Sequence, residues 1–279
     1  MTTPPPNITV PVDWTNPGQF FACCGLLELA NSLWPGAEGW FETGKPHSRF
    51  QMVASPEASL RELLVNARRL QICDDEGETG NDDEEEDRGR IDPIVVKSPI
   101  MLVLDWWSDK SIKPWAGSMK ERPILKAMLQ EIDPANPDPF NDAKVAFDRP
   151  SPPAPGGNKK KPTKREPFYF DCRRGCNAHP LDSGFSPDTH DMESICFPAV
   201  EALCFVGLQR GRPMPTDDRN RSRYIVWTER LPVSAIAPVV CGLVPIHGSL
   251  AFTFNNFFRT DQRRLKCYSR ATRERRRYV

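Results

Sequence analysis

Over the first 104 residues the chain reads as strand, helix, strand, strand, helix, strand, and a second run of helix and strand signals fills residues 167–279. A proline-rich basic stretch separates the two runs. With an ordinary apolar content of 39%, these observations predict an α+β fold, namely a ferredoxin-like N-terminal unit followed by a second α+β unit.

Ile8 to Val12 alternates as a short strand. Asn16-Pro17 supplies a helix cap and a proline for the first helical turn. Phe20, Phe21, Cys24, Leu27 and Ala30 recur at helical spacing, and Leu26, Leu29 and Leu33 widen the stripe, so this helix is expected to be largely buried. Trp34-Pro35-Gly36 ends it. Gly39 to Glu42 and Arg49 to Val53 read as two short strands about a turn at Gly44–Pro46. Ser55-Pro56-Glu57 opens a second helix through Leu70. Ile94 to Leu104 is the most apolar run and reads as one strand, with Ser98-Pro99 as an irregularity. A helix is expected around Ile124 to Ile132. Prolines then interrupt the chain repeatedly, and 149–166, with Lys159, Lys160, Lys161, Lys164 and Arg165, reads as a basic linker. Beyond it, a strand is expected over 167–173, a helix over 197–209, and strands over 223–229 and 249–254, while 233–243 is apolar and ambiguous. The domain reading is therefore 1–148 with an acidic loop at 74–90, a linker at 149–166, and 167–279 with a basic tail.

Formal charge balances at 37 against 37, but unevenly. Residues 74–87 hold ten acids and no base, and without them the chain carries +10. From Arg263 to Val279 eight Lys/Arg face one acid, Glu274. A basic body of this kind attracts phosphate backbones. No run of 18 apolar residues and no secretory signal is present, so a cytoplasmic protein away from membranes is expected. The nine cysteines are an odd number and several lie in apolar stretches, which fits reduced thiols. Cys172, Cys176 and His179, with His190 and Cys196 downstream, are the best metal-ligand spacing, though the second pair is loose for zinc. Sequence motifs for nucleotide binding, serine hydrolysis or zinc proteolysis are absent, and no cofactor is implied.

Two aromatic groups stand out. Trp106-Trp107 follows the apolar strand and Trp115 comes shortly after. Adjacent tryptophans on a strand face opposite ways, so Trp107 and Trp115 are candidates for stacking or partner contact; the alternative is that both neighbours cover the end of the core as a lid. Nearer the end, Phe254, Phe257, Phe258 and Tyr268 are interleaved with basic residues, which suits phosphate pairing plus stacking. Arg259, Arg263, Arg264, Lys266, Arg270 and Arg273 are the candidate backbone contacts. Arg210, Arg212, Arg219, Arg221 and Arg223 form a further cluster.

The segment from Asp13-Trp14-Thr15-Asn16-Pro17-Gly18 through Gly25-Leu26-Leu27 to Ala30 resembles the opening of the third Csb-class protein family of type I-G (formerly I-U) CRISPR systems. So do Leu104-Asp105-Trp106-Trp107, Lys113-Pro114-Trp115-Ala116-Gly117 and Ser222-Arg223-Tyr224-Ile225-Val226-Trp227. The resemblance implies a non-catalytic subunit of an RNA-guided surveillance complex, partnered by other effector subunits, guide RNA and target DNA. Many such subunits have an RNA-recognition-motif-like fold. The rival reading is a metal-independent endoribonuclease using His47 or His179 as general base. A third is an adaptor that docks another subunit through the Trp106–Trp115 region.

Overall fold

A computed structural model describes residues 4–43, 48–73, 93–108, 110–115, 119–148, 163–173, 195–218, 220–258 and 266–274. The expected turn at 44–46, the acidic segment 74–90, most of the 149–166 linker and the tail beyond 274 lie outside these residues. The described chain is mixed α+β, with several antiparallel sheets and five helices. None of these helices is long and apolar enough to cross a membrane.

Strand β1 (Ile8–Val12) buries Ile8, Val10 and Val12 on one face. Asn16 ends the approach to helix α1 (Pro17–Leu33): its Oδ1 accepts the Gly18 amide at 3.1 Å, and Pro17 fills a position that needs no amide partner. Every residue from Pro17 to Ala30 is buried, as expected for a helix apolar all round. β2 (Glu38–Glu42) and β3 (Ser48–Val53) pair with Phe41 opposite Phe50, and β1 joins β3 on the other side.

Helix α2 (Leu60–Arg68) starts later than the Ser55-Pro56-Glu57 signal implies. Residues 55–58 close a turn, and Ser59 is the cap, its Oγ accepting the Glu62 amide at 3.2 Å. Ser59 and Glu62 have capping-box spacing. The run 94–104 is not one strand. It folds back as β4 (Ile94–Val96) and β5 (Leu102–Leu104), with Ser98–Pro99, a cis peptide, in the connection. Arg122, in the first turn of α3 (Glu121–Glu131), donates to the carbonyls of Cys73 at 2.9 Å and Pro93 at 3.0 Å, and so ties together the two ends of segment 74–92. β6 (Phe147–Asp148) and β7 (Thr163–Lys164) pair across the linker.

Residues 167–173 form no strand. Their amides are taken by side chains instead of a ladder. Glu201 accepts those of Phe170 and Asp171, and Asn16 Oδ1 accepts that of Cys172, each at 3.2 Å. Tyr169 is left-handed at φ 70°, which interrupts extended pairing.

Helix α4 (Pro198–Arg210) crosses α1 at Gly25 and Gly207. A Cβ on Gly207 would lie 1.9 Å from the Phe21 carbonyl oxygen, and one on Gly25 would lie 2.0 Å from that of Leu203. The two backbones therefore touch. Arg210 closes the crossing with a bidentate pair to Glu28 at 2.8 and 2.9 Å.

β8 (Met214–Pro215), β9 (Arg221–Val226), β10 (Leu231–Pro232), helix α5 (Val233–Val240), β11 (Leu250–Phe258), β12 (Lys266–Tyr268) and β13 (Thr272–Arg273) complete the chain. The second sheet runs β12-β11-β9-β8, with β13 also on β11. β10 leaves that sheet and pairs with β2, Leu231 opposite Gly39. The first sheet is thus β1-β3-β2-β10, and the strand expected at 94–104 takes no part in it. Residues from both sides of the linker share one core. Phe20 stacks on Phe41 at 5.3 Å and on Tyr224 at 4.4 Å, and Phe41 meets Trp227 edge-on at 4.9 Å. The boundary expected at 149–166 divides sequence, not packing.

Candidate nucleic-acid interface

β11 changes character along its length. Phe252, Phe254 and Asn256 are buried, with Phe254 against Phe21 at 6.2 Å and against Tyr268 at 4.8 Å. Tyr268 is buried too, its hydroxyl donating to the Ile112 carbonyl at 2.6 Å. Past Asn256 the cover ends. Phe257 and Phe258 lie on opposite faces of the strand and are each 36% exposed. Lys266, paired with Phe258 across the ladder, holds Nζ 5.0 Å from that ring's centroid, a cation–π contact. The aromatic–basic interleaving of the sequence therefore splits: Phe254 and Tyr268 build core, whereas Phe257, Phe258 and Lys266 reach the surface.

Arg270 is exposed and donates to Asp13 Oδ2 and Thr15 Oγ1, both at 2.8 Å. Arg273 is exposed on β13, opposite Phe252. Arg259, Arg263 and Arg264 lie outside the described residues, in the connection from β11 to β12. Arg210, Arg212, Arg221 and Arg223 pair with Glu28, Asp105, Asp218 and Glu274 respectively, and Arg219 lies outside the described residues.

Trp107 and Trp115 are not stacking surfaces. They are 2% and 3% exposed. Trp106 and Trp107 sit on a 3-10 turn, not on a strand, so both rings turn inward. With Trp115, Phe168, Phe170 and Phe205 they form one aromatic cluster, for example Trp107–Phe205 at 5.2 Å and Trp115–Phe168 at 4.9 Å. The Trp106 Nε1 donates to the Phe205 carbonyl at 2.8 Å. Docking of another subunit through these rings would require the cluster to open.

The Asp13–Gln19 motif is explained by a buried polar hub. Asn16 Nδ2 donates to Asp171 Oδ1 at 2.8 Å, and Arg173 grips the same carboxylate through Nε at 2.9 Å and Nη2 at 2.6 Å. Asp171, Glu201 and Asn16 are fully buried. The arrangement is saturated by its own hydrogen bonds and orders the chain from 168 to 173 against α1. The partners of Asn16 carry no sequence signal, because they stand some 155 residues away.

Cys172 and Cys196 are buried, and Cys196 Sγ contacts the Lys144 carbonyl at 3.3 Å. Cys176, His179, His190 and His47 lie outside the described residues. Among the described residues no group of three or more His, Cys, Asp or Glu could hold a metal ion. Burial raises the thiols of Cys23, Cys24 and Cys204, and burial followed by the neighbouring Asp171 pushes Cys172 up to about 12. Unfolded thiols lose their proton near about 8.5. Stability linked to these groups is fully present below that value and falls as pH rises above it, by about 1.4 kcal/mol per pH unit for each thiol. The urea midpoint should therefore drop between about pH 8 and about pH 9.5, and an unchanged midpoint would contradict buried, protonated thiols.

No protein-family model matches the chain, and no curated protein and no solved structure is found similar to it.

Proposed function

We propose that the chain is a non-catalytic subunit of a type I-G CRISPR surveillance complex in antiviral defence, which binds guide RNA, target DNA or both and contacts the other effector subunits. The observation that carries the reading is the pairing of the exposed Phe258 ring with the half-buried Lys266 at the end of β11, set in the most basic stretch of the sequence. Basic side chains neutralise phosphates and exposed rings stack on bases, and neither reads sequence. Sequence would be read by pairing between guide and target. In this reading β1, β3 and β2, with α1 crossing from β1 to β2, are three strands of an RNA-recognition-motif-like, ferredoxin-like sheet. Arg259, Arg263, Arg264, Lys266, Arg270 and Arg273 are the backbone contacts, with Arg270 exchanging its Asp13 partner for phosphate.

Alanine at Arg263, Arg264 and Lys266 together should weaken RNA binding uniformly across sequences. It should also flatten the plot of log affinity against log salt by about 2 units, at about 0.7 per phosphate contact on a single strand. Unchanged affinity and slope would remove these residues from the interface. Tagged protein expressed with its neighbouring genes should retain a discrete guide RNA and CRISPR proteins. Recovery of the chain alone, free of RNA, would overturn the complex-subunit reading.

A further inference from the structure

Four consecutive carbonyls are fastened to the β11–β12 hairpin. Asn256 Nδ2 donates to those of Ser111 at 2.8 Å and Lys113 at 3.2 Å. The Tyr268 hydroxyl takes that of Ile112 at 2.6 Å, and the Lys266 amide takes that of Pro114 at 3.0 Å. Residues 111–114 belong to no helix or strand, so the hairpin fixes where their side chains go. Asn256, Phe258 and the ladder partner Lys266 share one face of the hairpin, and the fastened segment brings its lysines to that end. Lys113 is half-buried, with Nζ 4.9 Å from the Trp115 centroid. Lys110 is exposed. Burial holds the Lys113 ammonium below the ordinary lysine range, and Lys110 adds to this while Glu121 opposes it. Ammonium groups gathered at one end of a hairpin suit phosphate.

Resting on the nucleic-acid reading above, we infer that Lys110, Lys113 and Lys266, with the Phe258 ring, form one site for single-stranded nucleic acid. The ammonium groups take consecutive phosphates, and the exposed part of Phe258 takes an unpaired base. A duplex does not fit this chemistry, because its bases already have both faces stacked. Trp115 serves the site from beneath: it supports the Lys113 stem, which is a different role from stacking on a base.

The test uses the full chain and two fluorescent probes of about 20 nucleotides, a uridine RNA and a thymidine DNA, followed by anisotropy over a salt series. The double variant Lys110→Gln, Lys113→Met keeps an apolar stem over Trp115, and thermal unfolding monitored by circular dichroism checks its fold. Its affinity for the bound probe should fall about tenfold, and its salt slope should flatten by about 1.4. Phe258→Leu should weaken binding by about 5- to 100-fold with the slope unchanged. Whichever probe shows these losses identifies the strand chemistry. If the double variant binds both probes like the wild type while Arg263→Ala, Arg264→Ala, Lys266→Ala binds weakly, this site is overturned and the nucleic-acid reading stands. If the wild-type chain binds neither probe, the nucleic-acid reading itself falls.

Discussion

Alanine at Gly207 should cost the protein about 3 kcal/mol or more, enough to leave a marginal domain largely unfolded. The added methyl would lie 1.9 Å from the Phe21 carbonyl oxygen and 2.6 Å from the Gly25 amide nitrogen. Both are backbone atoms within a helix, so no rotamer change relieves the overlap. The helices would have to move apart, which would weaken the Arg210–Glu28 pair and loosen packing along the whole crossing. Gly25→Ala should behave alike, with its methyl 2.0 Å from the Leu203 carbonyl oxygen. Alanine at Gly36 is the control. Its φ of 93° is strained for alanine but nothing lies within 4 Å, so the cost there should stay near about 1–2 kcal/mol. Urea unfolding distinguishes these variants, and a Gly207→Ala midpoint equal to that of wild type would show that the crossing is looser than described.

Asp171→Ala should be the second large loss, at about 3–5 kcal/mol, because it strips a buried carboxylate from partners that stay behind. The Asn16 amide, the Arg173 guanidinium and the Arg173 backbone amide would each lose an acceptor at 2.6–2.9 Å. Asp171→Asn keeps the shape and one acceptor oxygen while losing the charge and the acceptor that faces Arg173 Nη2, so it should cost less than Asp171→Ala. Combining Asp171→Ala with Arg173→Met should cost less than the two single changes added together, since the second removes the stranded charge. Strict additivity in that cycle would show that the pair does not couple.

Local signals gave the helices well. Asn16-Pro17 marks the start of α1, and the all-round apolar pattern correctly announces its burial. Strand existence was also legible for β1, β2, β3, β9 and β11. Partnership was not. Ile94–Leu104 looks like a strand because it is apolar, yet only tertiary pairing decides that it folds back on itself. Residues 167–173 look extended, but Tyr169 is left-handed, and Glu201 and Asn16 take the amides that a neighbouring strand would otherwise have taken. The tryptophans misled for a geometric reason: period-two reasoning assigns adjacent residues to opposite faces, and a 3-10 turn does not. Along β11, the aromatic–basic pattern could not say that Phe258 is surface while Phe254 is core. It also had no means of bringing Lys113 beside Lys266, 153 positions later.

The place of β10 has a consequence for biosynthesis. Leu231 completes a sheet whose adjoining strand holds Gly39, and Gly207 receives a helix begun at Pro17. At about 5–20 residues per second, a ribosome takes about 10–40 s to travel the roughly 190 residues from Gly39 to Leu231. For most of that interval the nascent α1 has an apolar surface on all sides and neither its helical partner nor its second sheet. Folding must therefore be late and nearly all-or-none, with long-range closure as the slow step. A chain terminated after residue 148 would not be a smaller version of this protein but a client for chaperones.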